Sequence, residues 1–68
     1  MKFDEKMDMF IGIAQLKGVS ADLLTKNILK IGVETFKKDL SNTIKGSLDN
    51  NIGKMYDLVD KYANVQNN

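Results

Sequence analysis

Five residue types are missing from this chain altogether: cysteine, histidine, tryptophan, proline and arginine. Each absence closes a route. Without cysteine there is no disulfide framework and no thiolate metal site, which speaks against a small secreted scaffold and for a reducing, cytoplasmic setting. Without histidine, acid–base catalysis near neutral pH loses its usual agent, and no paired-carboxylate motif replaces it. Without arginine every positive charge is a lysine, a solvated point charge lacking the planar fork that reads phosphate or guanine through two bonds at once. The charges nearly cancel, to a formal +1, so bulk electrostatics selects neither nucleic acid nor an anionic membrane.

Long apolar runs are scarce too. The stretch from Met9 to Ile13 falls far short of the ~20 residues that span a bilayer, so no membrane span is expected. Asp4, Glu5 and Asp8 lie where a secretory signal would carry basic residues. The glycines lack phosphate-binding spacing, and Ser20 and Ser47 stand at helix-capping positions, not on a nucleophile turn. Asp57 and Asp60, three residues apart, share a helix face and are read as solvated, not as a cation site. No catalytic residue, metal site or cofactor is implied, and the chain is expected not to be an enzyme.

What is present is helical periodicity. The 68 residues make one domain over 1–68, near the lower size at which an unstapled core folds alone. Phe3, Met7, Phe10 and Ala14 step by fours and threes and predict a first helix over 3–17. Gly18 then offers a stop with positive φ, and Ser20 a cap for the next helix. From 21 to 45 two apolar stripes adjoin: Leu24, Ile28, Ile31, and Leu29, Val33, Phe36, Leu40, Ile44. A third helix is expected over 48–64, after a cap at Ser47, on the seam Leu48, Ile52, Met55, Val59, Tyr62. Residues 65–68 are expected to fray.

Gly32 is the open point. A glycine inside a helix costs about 1 kcal/mol relative to alanine. Unbroken, the middle helix would run roughly 39 Å, longer than its neighbours can cover, at ~1.5 Å per residue. Broken, it packs compactly. The pattern therefore predicts an all-α fold, a small bundle of three helices, or four if Gly32 breaks the middle one, completed by self-association.

That apparent surplus of apolar helix surface motivates the first functional expectation, a cytoplasmic protein–protein interaction module acting as adaptor or regulatory modulator and forming a homodimer or larger. Its core or contact face would comprise Phe36, Leu40, Ile44, Met55 and Val59, with the division between the two roles left open. The alternative is a minimal helix-turn-helix regulator with Gly32 as the turn, offering Lys37, Lys38, Asn42 and Lys45 to DNA. Its spacing departs from the motif: Lys38 stands where an apolar residue belongs, six positions after the turn glycine. With Gly18 as the turn, only Lys26 and Asn27 reach the outer face. A membrane-active amphipathic peptide comes last, lacking cationic excess and tryptophan.

Overall fold

The computed structural model describes residues 2–44 and 52–65, which fold into four helices around an apolar core. These are α1 (Phe3–Leu16), α2 (Ala21–Ile31), α3 (Val33–Thr43) and α4 (Ile52–Ala63), and no strand occurs among the described residues. The fold is all-α.

Local chemistry explains each described joint. After α1, Gly18 takes φ 71° while its N–H donates to the Gln15 carbonyl at 3.1 Å. Val19 N–H donates to the Ala14 carbonyl at 2.9 Å, which completes the paired bonds of a Schellman stop. Ser20 opens α2, its Oγ accepting from the N–H groups of Asp22 and Leu23 at 3.1 and 3.3 Å.

The helix expected over 21–45 is broken. Gly32 adopts φ 124°, ψ 132°, backbone that glycine alone holds without strain, and this single residue is both the last cap of α2 and the first of α3. Its N–H still donates to Ile28 O at 2.8 Å, and its carbonyl accepts from Phe36 N–H at 3.0 Å. The glycine's own N–H and carbonyl thus stay paired through the turn, although no side chain caps the start of α3. The turn also resets the helical phase. Leu29 and Val33, expected on one stripe with Phe36, Leu40 and Ile44, are 65% and 43% exposed, whereas those three are buried.

α4 is the element on which the other three converge, packing most extensively with α1 and also with α2 and α3. Met55, Val59 and Tyr62 of the expected seam are fully buried, but Leu58 is buried beside them and Ile52 is half exposed. A helix with three neighbours buries a broad face, where a two-helix seam would bury a narrow one. The expected start at Leu48 and the cap at Ser47 lie outside the described residues, as does most of the 65–68 tail.

Tyr62 ties all four helices together. Its ring meets Phe36 of α3 edge-on at 5.1 Å, and Phe36 meets Phe10 of α1 in the same way at 5.1 Å. Its carbonyl accepts from Asn27 Nδ2 of α2 at 2.8 Å, and its hydroxyl donates to Asp39 Oδ2 of α3 at 2.6 Å. Aromatic pairs in this geometry contribute about 0.5–1.5 kcal/mol each beyond their area.

Candidate functional site

The five residues expected to be core or contact are all core. Phe36, Leu40, Ile44, Met55 and Val59 are each at most 3% exposed within the single chain, and of the five only Phe36 reaches the floor of the groove between α1 and the α2–α3 pair. Burying the interior this fully follows from the break at Gly32, which folds α3 back where a rod would have left its stripe open.

The apolar surface lies elsewhere. α1 packs on α3 and α4 but scarcely on α2, and the gap between α1 and the α2–α3 pair forms an open apolar groove. One compartment, of about 320 Å³, lies between Phe3 and Met7 of α1 and Leu29, Val33 and Lys37 opposite. The other, of about 130 Å³, lies between Ile11 and Ala14 and the start of α2 at Ala21 and Leu24. Met7, Thr25 and Ile28 belong to both, so the two compartments adjoin. α1 therefore runs antiparallel to α2 along the groove.

The groove's chemistry limits what it can hold. Metabolite sites combine an enclosed cavity with several polar groups aimed at one point. Here the polar lining is sparse: Gln15 belongs to one compartment and Lys37 to the other. Thr25, common to both, already donates its hydroxyl proton to the Ala21 carbonyl at 2.8 Å. Lys37 leans over the ring of Phe3, 5.9 Å from its centre, at the groove's end. An apolar, elongated, open-sided groove matches a helix face better than a small polar molecule.

Sequence reasoning missed this surface because it placed Leu29 and Val33 in the core. The signal that could have found it is the glycine itself. Taking Gly32 as a turn breaks the phase between Leu29 and Phe36 and leaves the former unassigned.

The DNA-contact candidates do not form a single face. Lys37 sits at the groove, while Lys38 and Asn42, one turn apart, lie exposed on another side of α3. Lys45 is outside the described residues. The α2–α3 joint is one glycine, where a helix-turn-helix uses three or four residues. The α1–α2 link, residues 17–20, has that length, but there Asn27 is buried and engaged with the Tyr62 carbonyl.

A polar cluster joins α3 to α4. Asp39 Oδ2 accepts from the Tyr62 hydroxyl and, at 2.9 Å, from Lys61 Nζ. The Tyr62 hydrogen bond, then the Lys61 ammonium, hold the Asp39 carboxyl below its ordinary range. Burial, then the Asp39 carboxylate, push the Tyr62 hydroxyl well above its own. Asp60 is engaged by Lys17 at 2.7 Å, a bridge from the end of α1 to α4. No cluster of three potential metal ligands occurs among the described residues, and no helix among them is long and apolar enough to cross a membrane.

Comparison with protein-family models, curated proteins and solved structures finds no match for this chain.

Proposed function

We propose that this chain is a small non-enzymatic helical interaction module, an adaptor or regulatory modulator, that receives an amphipathic helix in the groove between α1 and the α2–α3 pair. One observation carries this: Phe3, Ile11, Leu29 and Val33 are 40–65% exposed and border a single groove across which α1 scarcely touches α2. Scattered exposed apolar residues are ordinary on any surface, whereas a contiguous apolar groove marks an interaction site. A bundle short of one helix displays such a groove, and a helix with anchors at three- and four-residue steps completes it.

The duplex-binding reading draws less support, since its lysines divide between two faces of α3 and Lys37 is placed at the groove.

Site-directed photo-cross-linking in expressing cells tests the proposal. A photoreactive residue at Leu29, in the groove, is expected to give a defined adduct with a protein, either another chain or a further copy. The same residue at Asp57, on the exposed side of α4, is expected to give none. No adduct from Leu29, or equal adducts from both sites, would refute the assignment.

A further inference from the structure

We infer that the partner helix at this groove is α1 of a second copy of this chain, laid on the α2–α3 wall about a two-fold axis along the groove, an inference that rests on the interaction-module reading above. A self-complementary interface presents the same patch on both partners, so it succeeds only when opposed parts of that patch attract. The two walls of this groove meet that condition.

On α1, Ile11 and Gln15 line the groove, and Asp4 and Asp8 lie seven and three residues before Ile11, on the same helical stripe. That rim is acidic. On the opposite wall Lys37 lines the groove, and Lys26 lies three residues before the groove residue Leu29. That rim carries Lys26 and Lys37, with Asp22 at the N-terminal end of α2 and Glu34, three residues before Lys37, as acidic exceptions. None of Asp4, Asp8, Lys26 and Lys37 carries an ion pair among the described residues.

The levels along the groove match as well. Phe3 and Met7 share a compartment with Lys37 and Val33, and Ile11 and Gln15 share one with Ala21 and Leu24. A two-fold axis along the groove sets α1 of one copy on the α2–α3 wall of the other at equal height. Asp4 then meets Lys37, Asp8 meets Lys26, and of the exceptions Asp22 meets the neutral Gln15. Each contact occurs twice. The apolar borders of the groove at Met7, Ile11, Leu29 and Val33 meet those of the second copy between these rims.

Area permits this arrangement. An interface of standard size takes about 800 Å² from each partner. The accessible surface here is 4551 Å², and the two longer dimensions of the molecule are 36 and 25 Å. One broad side has the room required.

The test uses two charge variants and light scattering at low salt. Asp4→Lys/Asp8→Lys makes both rims basic, and Lys26→Glu/Lys37→Glu makes both acidic. The native chain is expected to dimerise, and each variant alone to associate at least about tenfold more weakly, since several exposed pairs at up to ~1 kcal/mol each turn repulsive. Mixing the two variants is expected to restore a dimer, because each basic rim then faces an acidic one. Asp4→Lys also removes a favourable first-turn charge from α1, so thermal denaturation accompanies each sample. Loss of folding alone would not be repaired by mixing.

A native chain that stays monomeric to millimolar concentration overturns the inference, and so does a dimer indifferent to both variants or a mixture that stays monomeric. A Leu29 adduct containing only a different protein would also overturn it, while leaving the interaction-module reading intact.

Discussion

Tyr62 concentrates several contacts of the fold in one residue, its ring and hydroxyl engaging Phe36 and Asp39 of α3 and its backbone carbonyl engaging Asn27 of α2. Tyr62→Phe keeps the ring stack and removes only the bond to Asp39. A hydrogen bond to a charged, partly exposed carboxylate supports a loss of about 1–2 kcal/mol on that change, measured by urea denaturation. The pair also sets the pH limits of stability. Asp39, with its carboxyl held low in the folded chain, stabilises above its ordinary value of 3.8, and that contribution is lost as pH falls below it. Tyr62, raised from 10.0, favours the folded state fully below that pH, and its contribution is lost as pH climbs beyond it. The melting temperature is therefore expected to be flat between about pH 5 and 9, falling on either side. In Tyr62→Phe the alkaline fall attributable to this residue should vanish and the acid fall should shrink. An unchanged profile would show that the hydroxyl bond contributes nothing.

At the scale of elements, the joints between helices decide the architecture, and the two glycine joints differ in kind. A Cβ at Gly32 would meet only Thr35 Oγ1, at 3.7 Å, so space is not the constraint. Backbone conformation is. Gly32→Ala is expected to lose about 1–3 kcal/mol through strain alone, and Ser20→Ala about 1 kcal/mol through loss of the α2 cap. A stable, unbroken rod in Gly32→Ala, detected as increased helicity with unchanged melting, would contradict this. These joints also explain how far the sequence could be read. Helix class, the Gly18 stop and the Ser20 cap depend on residues within a turn of one another, so spacing and side-chain chemistry reveal them. The break at Gly32 depends on what α3 gains by folding back on a core that includes Met55 and Tyr62 of α4, information distributed along the chain. The sequence names Gly32 as the possible break but does not decide it, and a stripe continued through that glycine carries Leu29 and Val33 inward, where the structure has them exposed. Leu58 lies off the Leu48–Tyr62 seam, and its burial comes from the breadth of the face that α4 turns to three helices.

For the whole molecule, core and surface separate cleanly, and two substitutions to the same residue distinguish them. Leu40→Asp places a charge at a position with no exposure and is expected to prevent folding, seen as loss of the cooperative melt. Leu29→Asp, at an exposed position, should change stability by no more than about 0.5 kcal/mol while abolishing occupancy of the groove. If Leu29→Asp unfolds the chain, the groove is part of the core and not a docking surface. The convergence of three helices on α4 bears, finally, on biosynthesis. Met55, Leu58, Val59 and Tyr62 all lie on the last helix described, and Phe10, Phe36 and Leu40 have no complete packing without them. At roughly 5–20 residues per second, translation of this stretch takes seconds, during which the apolar residues of α1 to α3 lack their partners on α4. The emerging chain therefore keeps exposed apolar segments, the feature chaperones read, until α4 is available to close the core.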